Sequence, residues 1–371
     1  VKLAHGWWGL SIFLLVLIHA PAHAATDITW VQNQLDTQQF TSIESFLAAL
    51  PQDYRSRYTL MYESGSLQEA TVAEPRVIAY GTDASLVLAY NSGDPALHGS
   101  DTVELIQFNQ PETRFEFYEI SKSKTTGKLQ LTSETAKCEG CHRTDDPRPN
   151  WQPYDNWPGA YGSKDDYPTS DEKTGLVNFL KTVASNPRYE TLLNLPSTSA
   201  DNDVQFTGAP NTALVDTISQ WNYMRAARLV RATKDYDSYK YAILGSSDCS
   251  SEFDRFFPKS NPLPSNWQNV LSSSDTWVVA FVYLFESRGI NWRDWSMMIT
   301  GVESDIFDNN PFIAGYTYGE DLVANIVKQD AELQAYAQVT ESTFYEGVEE
   351  RSVSVTNCDA LAKLSQKALS K

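Results

Sequence analysis

Histidine is scarce in this 371-residue chain: there are five, and three of them, His5, His19 and His23, precede residue 24. Only His98 and His142 remain beyond that point, too few for a multi-histidine metal centre. A serine–histidine hydrolase would have just these two to draw on, and no G-x-S-x-G elbow accompanies them. A P-loop, a dinucleotide-binding glycine fingerprint and an H-E-x-x-H pair are also missing. Positive charge is short, with 29 Lys and Arg against 47 Asp and Glu, a net −18 that argues against nucleic acid and anionic membrane surfaces as partners. No apolar run approaches the ~20 residues a membrane-spanning helix needs. Internal repeats and low-complexity tracts are absent as well.

What is present begins with an export signature. Lys2 precedes a short apolar run, Trp7 to Ile18, and Ala22-His23-Ala24 is a small-x-small cleavage site. Residues 1–24 therefore read as a signal peptide, with a retained N-terminal anchor as the alternative. The expected residence is periplasmic or secreted, with no membrane span after cleavage. Because Lys2 is the only charged residue removed, the remaining chain would carry −19. Such a surface suits a basic redox partner.

The central motif is Cys138-Glu139-Gly140-Cys141-His142, a single C-x-x-C-H. This spacing is that of covalent c-type haem attachment. Two thiols reach the vinyl groups on one porphyrin edge, and the following histidine becomes the proximal iron ligand. One covalent haem c is thus expected on Cys138 and Cys141, with His142 bound to iron. Cys249 and Cys358 are then left as an even pair in an oxidising compartment and are expected to form a disulfide.

Downstream, Asp145 to Gly162 is dense in proline and glycine, which excludes regular helix and favours a rigid irregular segment. Trp151, Tyr154, Trp157 and Tyr161 are candidates to stack near the porphyrin, or else to plug the junction between sheet and helices. Arg148 is a candidate partner for a haem propionate, since guanidinium matches carboxylate in a bidentate way. Arg225, Arg228 and Arg231 form a basic strip that could do the same, dock a partner, or simply lie solvated. A distal iron ligand is not evident. His98 sits in a Gly- and Asp-rich turn, and Met224 sits on an apolar helical stripe; both are weak candidates. Met297 and Met298 read as core residues, and Met61 does not stand out as a ligand.

Between Tyr58 and Leu131 the chain reads as an antiparallel meander with one buried face: runs at 76–80, 85–90, 103–108 and 114–120 are β-branched and aromatic, with turn clusters between them. A short helix from Ser42 to Leu50, stopped by Pro51, precedes it. Helical character follows at 175–186, 214–231, 235–244, 267–287, 320–337 and 359–370. The expected fold class is α+β, with a β-rich region at 25–135, a mainly helical haem-binding region at 136–371, and the haem-attachment loop at their junction near Thr135.

The segment Lys137 to His142, followed by Asp146-Pro147-Arg148-Pro149-Asn150-Trp151 and Trp157-Pro158-Gly159-Ala160-Tyr161-Gly162, resembles a group of exported, mostly uncharacterised bacterial proteins with one c-type haem motif. Ser66-Leu67-Gln68 and Pro75-Arg76-Val77-Ile78 are similar to that group too. The resemblance implies covalent haem and residence outside the cytoplasm, with no established activity. The chain departs from compact class I cytochromes c in its length and its β-rich half, and from dihaem peroxidases in having one motif instead of two. Electron transfer is the leading expectation. A haem enzyme, or a gas- or peroxide-binding protein with an open distal position, is the second. The third is a haem-free exported binding or structural protein with a C-x-x-C disulfide.

Overall fold

The computed structural model describes residues 26–133, 135–142, 147–149, 159–162, 167–199, 204–208, 210–234, 236–249, 255–259, 315–344 and 348–371. The expected signal peptide, the aromatic residues Trp151, Tyr154 and Trp157, Met297 and Met298, and the expected helix at 267–287 lie outside these residues.

Three helices open the described chain: α1 (Ile28–Gln38), α2 (Ile43–Ala48) and α3 (Gln52–Ser56). Asp27 and Ser42 cap the first two, accepting from the backbone N–H groups of Trp30 and Ser45. Six strands follow: β1 (Tyr58–Met61), β2 (Arg76–Tyr80), β3 (Leu86–Tyr90), β4 (Thr102–Asn109), β5 (Arg114–Lys122) and β6 (Leu129–Thr132). They pair in sequence order, each antiparallel to the next, so the expected meander is present.

The expectation of one buried face needs correction, because both faces are covered. Leu60, Val77, Leu88, Val103 and Ile120 point into one core with α1, α2 and α5 (Ser170–Thr182). Their alternates Met61, Ile78, Val87, Phe108 and Phe117 point to the other face, where Leu214, Val215 and Ile218 of α6 (Pro210–Ala232) pack. Period-two alternation hides this when both sets are apolar, as in the continuous run Leu86–Tyr90.

Among the described residues, the second half is helical with a hairpin that the sequence pattern did not reveal. Its described helices are α4 (Thr135–His142), α5, α6, α7 (Tyr236–Asp248), α8 (Gly315–Gln329) and α9 (Cys358–Leu369). A minimal ladder, β7 (Ser197–Thr198) with β8 (Val204–Gln205), lies between α5 and α6. The helix expected to reach 337 stops at Gln329, because the Asp330 carboxylate accepts from the N–H groups of Glu332 and Leu333 and turns the chain. Strands β9 (Ala337–Phe344) and β10 (Val348–Val355) then pair antiparallel. A separate core joins the C-terminal half of α6 to α7, α8, α9 and the hairpin. This core and the one on the sheet's second face meet within α6, and α5 belongs to the core on the sheet's first face. Cys249, at the end of α7, is disulfide-bonded to Cys358 at the start of α9, with Cα atoms 6.0 Å apart. Among the described residues, no helix is long and apolar enough to cross a membrane.

Candidate functional site

The C-x-x-C-H motif occupies a helix, which corrects the expected attachment loop: α4 carries Cys138, Cys141 and His142. Thr135 to His142 contains no proline and only one glycine, so helix propensity is adequate; the proline-rich stretch starts later, at Pro147. On a helix these three positions stand at i, i+3 and i+4 and share one face. Cys138 is half-buried against the sheet and Cys141 is exposed, both as thiols.

All three line one cavity of about 250 Å³ between α4 and the sheet. Register explains its floor. Ile78 pairs with Ala89, Val87 with Ile106, and Ile106 with Phe117, so these side chains form an apolar floor running from β2 to β5. Met61 of β1 and the segment Ser64–Leu67 complete the rim, where Leu67 is exposed. His142 stands at the β5 end, its ring centroid 4.5 Å from that of Phe117.

The state of His142 follows from its partners. Its Nδ1 lies 2.6 Å from the backbone carbonyl of Arg148. A carbonyl only accepts, so Nδ1 carries the proton and Nε2 presents its lone pair. Burial lowers the imidazole's pKa below its ordinary value, the Arg148 carbonyl opposes this, and the nearby positive charges of Arg76 and Arg148 add to the lowering. The result is a neutral imidazole locked in one tautomer, the form that binds metal. An outer carbonyl on the other ring nitrogen is the usual second partner of a ligating histidine. The Arg148 N–H in turn donates to the His142 carbonyl at 3.2 Å, closing a small reciprocal turn. Arg148 therefore contributes through its main chain, and its side chain is buried.

The other expected residues fall elsewhere. His98 is outside the cavity; its ring donates from Nδ1 to the Leu67 carbonyl and pins the rim from behind. Met224 packs beside the sheet core without lining the cavity, and its carbonyl accepts from Gln329 at 3.2 Å. Tyr161 is buried in the core on the opposite face, donating to the Val72 carbonyl at 2.7 Å. Arg228 donates to the Thr113 carbonyl and Arg231 to Gln329, tying α6 to its neighbours, while Arg225 is fully buried and donates to Asn222 within the helix.

A polar element that the sequence reading did not single out stands on the same floor. Arg76 of β2 reaches over the small Ala89 to Glu104 of β4, with Nη2 2.6 Å from Oε2. Its Nε donates to Gln68 Oε1 at 2.9 Å, and Gln68 is itself fully buried and donates to the Thr102 carbonyl. The signal for this pair was parity: Arg76 and Glu104 share the strand face of Ile78 and Ile106. No protein-family model, curated protein or solved structure matches this chain.

Proposed function

We propose that this chain is an exported protein carrying one covalently attached haem c, and that its task is electron transfer. The observation that carries the reading is the convergence of two thiols and a neutral, carbonyl-locked imidazole on one helix face over an apolar-floored cavity. These residues fit the group. Each thiol can add across a vinyl double bond, sulfur bonding one carbon and a proton going to the other, with no oxidant consumed. His142 Nε2 would hold the iron, Phe117 would restrain the imidazole plane, and the apolar floor would shield the group from water. A haem held there supplies a reversible one-electron iron couple. The acidic chain suits a basic redox partner outside the cytoplasm.

The second reading, a ligand-binding haem with an open distal position, is favoured by one observation: His98 and Met224 both stand outside the cavity. The test is expression in a host with c-type haem maturation, followed by intact mass and a reduced absorbance spectrum. One haem mass that survives denaturation and is lost in the Cys138→Ala/Cys141→Ala variant supports attachment. Colourless protein of bare peptide mass sinks it.

A further inference from the structure

We infer that the Arg76–Glu104 pair forms a binding site for a small monovalent anion in the cavity where His142 would hold the haem iron; this rests on the covalent-haem reading. Strand register locates it. Phe117, which marks the foot of His142, pairs with Ile106, and Glu104 lies two residues along from Ile106 on the same strand face. One strand spacing of about 4.8 Å and two residue rises of about 3.4 Å each put the Glu104 backbone roughly 8 Å from the Phe117 backbone. Met61, by contrast, lies four strands from β5, roughly 19 Å of backbone at the same spacing. A methionine side chain does not close that gap and share one iron with His142. Arg76 is itself rooted beside Met61, with which it pairs across β1 and β2, but its longer side chain carries the guanidinium to 2.6 Å from the Glu104 carboxylate, so the polar head of the pair, unlike the methionine, sits at the Glu104 end of the floor.

The guanidinium is equipped to receive a ligand. Gln68 takes its Nε–H and Glu104 takes one Nη2–H, leaving three N–H donors without a partner among the described residues. Arg76 lines the cavity, and its side chain is only 13% exposed. Two anchors, one of them the fully buried Gln68, hold the fork in place before any ligand arrives, so little ordering is needed on binding. Lys137, the other cation lining the cavity, is 54% exposed and paired with Glu119, so it is placed at the mouth and not on the floor. A negative ligand on ferric iron would accept from Arg76, and the Glu104 carboxylate would repel it. The pair therefore tunes anion affinity in opposite directions, whereas a neutral ligand on ferrous iron feels neither charge strongly.

The test uses the matured full-length holoprotein. Haem content is established first by mass and spectrum, and azide is then titrated into the ferric form and carbon monoxide into the ferrous form. Azide is expected to perturb the wild-type haem spectrum. Arg76→Leu is expected to weaken azide roughly 10-fold or more, as for loss of a charge-assisted hydrogen bond, with carbon monoxide affinity changed less than about 3-fold. Glu104→Gln, which removes the charge and keeps the shape, is expected to strengthen azide binding. Haem-loaded protein that ignores azide overturns the inference and leaves the haem reading intact. Equal losses of azide and carbon monoxide in Arg76→Leu also overturn it, because they mark a propionate clamp or a general structural role. Protein without haem overturns both.

Discussion

If the Arg76–Glu104 pair is kept for function, replacing both halves should cost less than replacing Arg76 alone, and the effect of losing Glu104 should reverse sign once Arg76 is gone. Arg76 and Glu104 side chains are 13% and 25% exposed on an otherwise apolar floor. At an effective dielectric near 20, charge centres about 4 Å apart attract by about 4 kcal/mol, while desolvation costs several kcal/mol per ion. Burial lowers the Arg76 pKa below its usual value even with Glu104 alongside, so desolvation outweighs the attraction. Removing Glu104 alone strands a cation. Losses of 3–5 kcal/mol are usual for fully buried pairs, and the partial exposure here reduces the expected cost of Glu104→Leu to about 2–3 kcal/mol. Arg76→Leu strands the carboxylate and also leaves Gln68 Oε1 without a donor, for about 3–4 kcal/mol. In the Arg76→Leu background, however, Glu104→Leu removes the stranded charge and should restore about 1–2 kcal/mol. Urea unfolding of the four proteins, with m-values compared to confirm one transition, measures the cycle. If Glu104→Leu costs the same in both backgrounds, the pair is not coupled as argued and the case for a functional pair fails.

Three other expectations follow from the same geometry. Gly140 lies in α4 without positive φ, and an added Cβ meets nothing within 4 Å; Gly140→Ala should stabilise the helix by up to about 1 kcal/mol, read by urea unfolding, with attachment yield unchanged. A destabilised variant would restore the loop reading. The Cys249–Cys358 bridge closes a span of 109 residues, for which the chain-entropy model gives about 4.8 kcal/mol; Cys249→Ala/Cys358→Ala should fall short of wild type by up to that amount, and no loss of stability would show the bridge does not form. Burial of Glu44 works against its ionisation, but Arg188, at 2.8 Å, and its other hydrogen bonds hold its pKa below the ordinary value. A depressed folded pKa gives stability present above the unfolded value of 4.5 and lost as pH falls through the folded one. Glu44→Gln should therefore flatten part of the acid-side loss in unfolding measurements below about pH 4.5, and an unchanged acid slope would refute the linkage.

Much of the fold is legible because it rests on local chemistry. Strands 76–80 and 114–122 declare themselves by β-branched and aromatic residues between turns, and Ser42 with Pro51 brackets α2. The stripe Leu214, Ile218, Trp221 and Met224 marks the face of α6 that meets the sheet. The hairpin at 337–355 was less legible. Its strands carry Thr, Ser and Glu on alternate positions, and the helix before it ends through one aspartate side chain instead of a glycine or proline. Helix α1 was missed for a related reason: only Val31 and Leu35 of it are buried, too few to impose a visible period. At the site, C-x-x-C-H is readable because its spacing is itself the chemistry. The Arg148 carbonyl and the Arg76–Glu104 pair are not, because a backbone acceptor leaves no side-chain signature and a cross-strand pair depends on register 28 residues apart.

Under the covalent-haem proposal, a tether would account for how little enclosure the described residues give the cavity. Its floor is one face of a sheet and its roof is a single eight-residue helix, with an exposed Leu67 at the rim. A haem bound without covalent bonds must offset its translational and rotational entropy by burial, which calls for a deeper pocket. Two carbon–sulfur bonds would remove that requirement by making iron ligation intramolecular, so that His142 would need only the right tautomer and orientation. Those two properties are set by one carbonyl and one aromatic ring, Arg148 and Phe117. Among the described residues the rim at Leu67 is open, which under that proposal would leave a porphyrin edge close to solvent for electron passage to a partner, and a path for small ligands to reach Arg76.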